Sequence, residues 1–256
     1  MISINQLSTV IVLMLSLFTC SPSDRMILKR QVTYENWNSY LIYDSKSNEA
    51  AIIDVGGPID TLVSFIADNN LRLKYFLFTH CHYDHVMGLP NIRNQFPEAK
   101  VCLTKAAFED MQIQKQWGAE NLGQEWLDMM NADPITQKML DFDPSTFPAP
   151  DIYLEDNQIL KLGNLNIKAL FTPGHSRGHM CFYVNGSLFS GDVLWYRTVG
   201  HTGFLGGSKD DIVKSVRKLY DLLPDATIVY PGHGPFTDIK SEKRENKNIT
   251  VNSVYL

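Results

Sequence analysis

Seven histidines occur among the 256 residues, and five of them, with two aspartates, stand where they could share metal ions. The densest group is Thr79-His80-Cys81-His82-Tyr83-Asp84-His85. At this histidine frequency an HxHxDH string arises by chance in roughly one such chain in several thousand, so its spacing is a signal. In an extended stretch His80 and His82 point to the same side and reach one ion, while Cys81 and Tyr83 point away. Asp84 and His85, on the following turn, can face a second ion. His175, Asp192 and His233 come later, in Thr172-Pro173-Gly174-His175, Phe189-Ser190-Gly191-Asp192 and Tyr230-Pro231-Gly232-His233. Each ends an apolar run and a glycine-containing turn. The set holds imidazole and carboxylate donors without thiolate, which suits zinc first and also admits iron or manganese.

Such a site needs four strand ends at one edge of the molecule. The apolar run 73–78, which stops at Thr79-His80, reads as a buried strand, and further strands are predicted at 39–43, 50–55, 101–103, 165–171, 180–184, 188–190 and 227–230. Helices are predicted at 61–69, 90–96 and 209–223. Several neighbouring strands lie too close in sequence for crossover helices, so mixed sheets covered by helices are expected. The resulting class is α/β, a four-layer αββα sandwich with two mixed β-sheets. A helical insert is expected at about 106–150, carrying Trp117, Trp126, Met129, Met130 and Met139. It reads either as a lid over the metal edge, offering those side chains for apolar substrate contact, or as an amphipathic helical pair packed on the sandwich.

Hydrophobic residues make up 44% and charged residues 20% of the chain, a globular composition that excludes fibrous and disordered classes. The net charge of -5, with no Lys/Arg block outside 243–247, argues against a nucleic-acid surface and for a small-molecule substrate. Residues 1–23 carry no charged side chain, and the apolar run 10–18 is too short to span a membrane but suits the core of an export signal. Leu17-Phe18-Thr19-Cys20 resembles a bacterial lipobox, so residues 1–25 are expected to be a leader and the domain to occupy 26–256. On that reading the protein is exported and anchored in a bacterial cell envelope through lipidated Cys20. A start at Met26 would leave it cytoplasmic. Cys20, Cys81, Cys102 and Cys181 have neither metal-site nor disulfide spacing, and Cys81 reads as a small packing residue.

Taken with Ile52-Ile53-Asp54-Val55-Gly56-Gly57 and Tyr230-Pro231-Gly232-His233-Gly234-Pro235, these motifs, in this order, resemble the metallo-β-lactamase superfamily. Within it the chain is most similar to glyoxalase II-like, or hydroxyacylglutathione hydrolase-like, hydrolases, over about 26–248. The resemblance implies the αββα fold and two divalent ions, with His80, His82 and His175 on the first, Asp84, His85 and His233 on the second, and Asp192 bridging. It also implies catalytic roles for Asp84 and Asp192 beside a metal-bridging hydroxide that attacks a thioester or similar activated acyl substrate. Asp54 is expected to support the ligands. His179 either hydrogen-bonds a ligand or substrate, or is a satisfied core histidine, and His201 is a weaker candidate.

The resemblance is incomplete. In many short relatives the loop after the bridging aspartate carries an Arg and an Asp where this chain has His201 and Gly203. The chain also ends 23 residues after His233, without the helical extension of the glutathione-specific enzymes, so glutathione specificity is not expected. Alternatives are a persulfide dioxygenase-like enzyme with one iron on His80, His175 and Asp192, a β-lactamase- or lactonase-type hydrolase, and a binding module without catalysis. Oligomeric state is not legible from the sequence.

Overall fold

Along β3 (Glu49–Ile53) the side chains of Ala51 and Ile53 face one way and those of Ala50 and Ile52 the other, and all four are buried. β4 (Arg72–Leu77) repeats the pattern, with Tyr75 and Leu77 on one face and Phe76 on the other. Because side chains alternate across a strand, such runs are stable only with a layer on each side. The computed structural model, which describes residues 26–34 and 36–254, supplies both layers. The leader expected at 1–25, with Cys20, falls outside the described residues.

One sheet has the order β1 (Met26–Thr33), β2 (Trp37–Asp44), β3, β4, β5 (Lys100–Leu103), β6 (Ile152–Tyr153), with β1 to β3 antiparallel and β3 to β6 parallel. The second runs β7 (Ile159–Leu162), β8 (Leu165–Phe171), β9 (Met180–Val184), β10 (Ser187–Gly191), β11 (Ile228–Pro231), β12 (Thr237–Asp238), all antiparallel except the β10–β11 pair. Both sheets are mixed. Between them Tyr40, Ile42, Ile53 and Leu77 meet Ile167, Phe182 and Phe189. The outer face of the first sheet is covered by α1 (Asp60–Asp68), α2 (Tyr83–Val86), α3 (Leu89–Ile92) and α4 (Lys105–Asn121). The second is covered by α7 (Lys209–Leu222), through Ile212, Val216 and Leu219. Helix, sheet, sheet and helix therefore stack as the expected αββα sandwich.

Local chemistry explains the helix boundaries. Ser208 caps α7 by accepting the N–H of Asp211, and Asp210 and Asp211 stand at the positive end of its dipole. Thr104 caps α4 through Ala107 N–H. Beyond α5 (Gly123–Ala132), Asp133 caps α6 (Pro134–Asp141), whose first residue is the proline that start tolerates best. The three helices α4 to α6 fall within the segment expected to be an insert. β8 and β9 match the predicted 165–171 and 180–184, whereas β1, β6, β7, β12 and α8 (Ile239–Glu245) were not anticipated. β1 carries Lys29-Arg30-Gln31 on an edge, which hides the alternation, and β6 and β12 have only two residues each. Among the described residues no helix is long and apolar enough to cross a membrane.

Candidate metal centre

β4, β8, β10 and β11 all end at the same edge, and the turns after them deliver the candidate ligands. The chain stays extended through His82, which carries His80 and His82 on one side and sends Cys81 into the core beneath α4. It then coils into α2, turning Asp84 and His85 toward the neighbouring position. Backbone bonds hold the loops together: Met180 N–H donates to Thr79 O at 2.8 Å, Gly232 N–H to Gly191 O at 2.8 Å, and Val55 N–H to His85 O at 2.7 Å. These contacts leave no room at Gly232, where a Cβ would lie 2.2 Å from Asp192 Oδ1 and 2.5 Å from His85 Cε1.

Three imidazole nitrogens converge at the first position. His175 Nε2 lies 3.2 Å from His80 Nε2 and 2.8 Å from His82 Nδ1, and the latter two are 3.1 Å apart. The far nitrogens decide the tautomers. His175 Nδ1 donates to the carbonyl of His201 at 2.6 Å, so its Nε2 presents a lone pair. The Thr79 hydroxyl donates to Asp54 Oδ2 at 2.8 Å and accepts from His80 Nδ1 at 3.0 Å, so His80 Nε2 presents a lone pair too. Two buried lone pairs facing each other repel unless a cation lies between them, and histidine ligands of metals are oriented by such far-side bonds. Burial, followed by repulsion from His85, His82 and His175, drives the pKa of His80 well below its ordinary value. Burial and His175 bring His82 down to about 3. This half of the centre is a neutral nitrogen triad that fits a divalent ion.

The second position is charged. His85 Nδ1 donates to Asp54 Oδ2 at 2.9 Å, while its Nε2 faces Asp192 Oδ1 at 3.4 Å, Asp84 Oδ2 at 3.7 Å and His233 Nε2 at 3.2 Å. His233 Nε2 lies 3.2 Å from Asp84 Oδ2 and 3.3 Å from Asp192 Oδ2. Burial lowers the pKa of His85, but Asp192, Asp84 and Asp54 more than offset it and hold it well above the ordinary value. For His233 the same balance, led after burial by Asp192, gives about 10. Without metal this half is therefore an ion-paired cluster in which protons compete with a metal for the ligand nitrogens.

Asp192 lies between the halves, with Oδ1 toward His85 and Oδ2 3.3 Å from His233 and 3.5 Å from His175. His80, His82 and His175 form one group able to hold an ion, Asp84, His85 and His233 another, and His80, His85 and Asp192 a third that joins them. Asp54 and His179 contribute no ligand atom to these groups. Asp54 accepts from Thr79 N–H at 2.8 Å, from the Thr79 hydroxyl and from His85, so one carboxylate orients a ligand in each half. It does so in a left-handed backbone conformation, φ +56°. His179 Nε2 accepts the N–H of Asp192 at 3.0 Å. His201 acts through its carbonyl.

Sequence reasoning missed Trp195, whose indole N–H donates to Asp192 Oδ1 at 3.2 Å and whose ring lies 5.2 Å from that of His233. It missed Thr79 as well. Trp195 stands three residues beyond Asp192, too weak a signal without the turn that folds it back.

Above the centre opens a cavity of about 290 Å³. Its floor includes His82, Asp84, His175, Asp192 and His233, and its walls include Trp117, Trp126, Met129, Met130 and Met139 from α4 to α6. The insert thus covers the metal edge with one side while α4 packs on the first sheet through Ala107 and Met111. Cys81, Cys102 and Cys181 are buried free thiols, and burial pushes the pKa of Cys81 far up, leaving it no nucleophilic part.

A family model described as metallo-beta-lactamase superfamily matches residues 34–233. The hydroxyacylglutathione hydrolase GloC of Haemophilus influenzae is 32% identical over 220 residues, 84% of this chain and 93% of GloC. Among solved structures, the BLEG-1 B3 metallo-beta-lactamase aligns with a TM-score of 0.67 at 28% identity, covering 86% of this chain and 98% of that one. TTHA1623 in a di-iron-bound form aligns at 0.65 and 26%, covering 86% and 98%. The matched span includes every candidate ligand from His80 to His233, and the chain belongs to the metallo-beta-lactamase superfamily.

Proposed function

We propose that this protein is a dinuclear metal-dependent hydrolase of thioesters or similarly activated acyl compounds. The observation that carries the reading is the position of Asp192, whose two carboxylate oxygens face His85 on one side and His233 and His175 on the other. A mononuclear site on His80, His175 and Asp192 would leave the adjoining Asp84, His85 and His233 group without purpose. These residues would hold two divalent cations, zinc or iron by the donor set, which when bound would lower the pKa of water and polarise the acyl carbonyl.

The protein's part is placement. His80 and His175 are turned by Thr79 and the His201 carbonyl, His85 by Asp54, and Asp192 by Trp195 and His179. Asp84 shares His233 with Asp192 and borders the cavity floor, where a substrate carbonyl would lie. Water adds its hydroxyl to the carbonyl carbon, the carbon–sulfur bond breaks, and the water's other proton goes to the departing sulfur, giving the acid and the thiol. The thioester class is supported by the 32% identity to a hydroxyacylglutathione hydrolase.

The test is metal analysis of protein purified without added metal, followed by metal loading and assay on S-lactoylglutathione and model thioesters. Two ions per chain with thioester hydrolysis, abolished by Asp192→Ala, are expected. One iron per chain with oxygen uptake on glutathione persulfide would sink the proposal, and nitrocefin turnover at ordinary enzymatic rates without thioester turnover would move the substrate to β-lactams.

A further inference from the structure

The cavity over the metal centre is chemically one-sided. Its floor is histidine and carboxylate, but α4 and α5 contribute Trp117, Trp126, Met129 and Met130 to its wall, and Phe204, beside His82, and Leu205 line it as well. Among the described residues that line it, the one Lys or Arg is Lys115, and its ammonium is already bonded to the Leu140 carbonyl. The Gln114 amide is likewise engaged, donating to Cys81 O at 2.7 Å. A substrate reaching up from the floor therefore meets mostly hydrocarbon, sulfur and indole, with one ammonium, turned to a backbone carbonyl, against the two carboxylates of a peptide-like thiol. The wall is also set in place. Gly118 lets the Trp126 ring approach so closely that a Cβ would lie 2.6 Å from it. Met129, 61% exposed, borders the opening and adds a flexible, polarisable thioether to the wall. At about 290 Å³ the space is at the small end of ligand cavities, the size for a medium chain rather than a macromolecule.

Resting on the hydrolase reading above, we infer that the cavity between the metal centre and the insert binds an unbranched apolar chain attached to the scissile carbonyl, so that the substrates are medium-chain acyl compounds or thioesters of apolar thiols. Burying one methylene contributes about fourfold in binding, or 0.8 kcal/mol, and a chain buried in the transition state raises kcat/KM by the same factor.

Two series on the metal-replete enzyme test this. In one the acyl group lengthens from acetyl to decanoyl on N-acetylcysteamine, and in the other the thiol lengthens while acetyl is kept. A rise of about fourfold per methylene that levels off once the cavity is filled is expected in one of the two, and the steeper series identifies which side of the carbonyl enters. In Trp126→Ala the slope should fall, with the long substrates losing at least tenfold more than acetyl. Equal kcat/KM along both series overturns the inference while leaving the hydrolase reading intact. Should no thioester be hydrolysed, the hydrolase reading fails and the cavity is judged by calorimetry of straight-chain carboxylates from hexanoate to decanoate. A Kd falling about fourfold per methylene, and lost in Trp126→Ala, then upholds it, and a Kd independent of length overturns it.

Discussion

The imidazole of His179 accepts the backbone N–H of Asp192 at 3.0 Å. Its other nitrogen lies 3.1 Å from the Thr172 hydroxyl, and both groups are fully sealed from solvent. Since Nε2 accepts, the ring is neutral with its proton on Nδ1, and burial, joined by repulsion from His175, holds its pKa well below the ordinary value. The histidine thus fixes the peptide that aims the Asp192 carboxylate, while itself lying outside the groups able to hold an ion. His179→Leu should leave that N–H buried and unpaired and weaken metal retention by about 10- to 100-fold, the usual cost of losing a partner that orients ligands. His179→Gln, which keeps an acceptor, should recover most of it. Competition with a chromophoric chelator measures both, and equal retention in the Leu and Gln variants would show that the bond does not position Asp192.

Gly232 is tested differently, because there the limit is space. The Cβ of Gly232→Ala would lie 2.2 Å from Asp192 Oδ1 and 2.5 Å from His85 Cε1. Neither can retreat, since His85 is pinned to Asp54 and Asp192 to Trp195. Expected is a folded protein that binds fewer ions per chain and loses activity by about 100-fold or more. Gly203→Ala, whose Cβ meets nothing within 4 Å, serves as the comparison and should keep its metal. Elemental analysis with circular dichroism decides the matter, and full metal occupancy in Gly232→Ala would contradict it.

The ligand candidates were legible because they cluster in the short turns just beyond apolar strands, where composition makes so many His and Asp rare. The strands were legible for a related reason: Ile52, Ile53, Phe76 and Leu77 belong to runs buried on both faces. What supports the ligands was harder to read. His201 contributes a carbonyl, which any residue could supply, and Trp195 reaches Asp192 only because the chain folds back beyond β10. Thr79 takes its role from two bonds to Asp54, a residue 25 positions away. The choice between lid and packed helices for the insert could not be made from amphipathicity, because α4 uses one side for the sheet, through Ala107 and Met111, and another for the cavity, through Gln114 and Trp117.

The two halves of the centre should load with different responses to pH. At the first, burial keeps His80, His82 and His175 neutral, with His82 down to about 3, so a metal meets free lone pairs across the neutral range. At the second, His85 is held well above its ordinary pKa and His233 at about 10, so a metal arriving at pH 7 must displace their protons. Raised pKa values mean that affinity for the second ion climbs with pH until about 10 and falls on acidification. The expected titration shows a first step nearly independent of pH between 6 and 8. The second should weaken by at least about tenfold per pH unit and release at least one proton. Calorimetry in two buffers of different ionisation enthalpy counts the protons, and equal pH slopes for the two steps would refute the assignment.

Arg177 joins the insert to the loop that carries His175. Its Nε donates to both oxygens of Asp110 on α4 at 2.8 Å, and its Nη2 reaches Glu109 at 3.2 Å. Asp110 is almost wholly buried, whereas Arg177 is half exposed, so the arginine brings charge to a carboxylate that water cannot reach. Thr104 Oγ1 donating to Gly178 O and Gln114 Nε2 donating to Cys81 O complete a three-point attachment of α4 to the metal loops. Arg177→Met should strand the Asp110 charge and cost about 2 kcal/mol, a fall of roughly 4–8 °C in Tm for a domain of this size. It should also raise KM for the longest substrates by letting the cavity wall shift. Adding Asp110→Leu removes the stranded charge and should restore much of the Tm without restoring KM, because the tether is still missing. Thermal unfolding of the single and double variants beside their KM values separates stability from wall placement, and an unchanged KM in both would show that α4 holds its position without this ion pair.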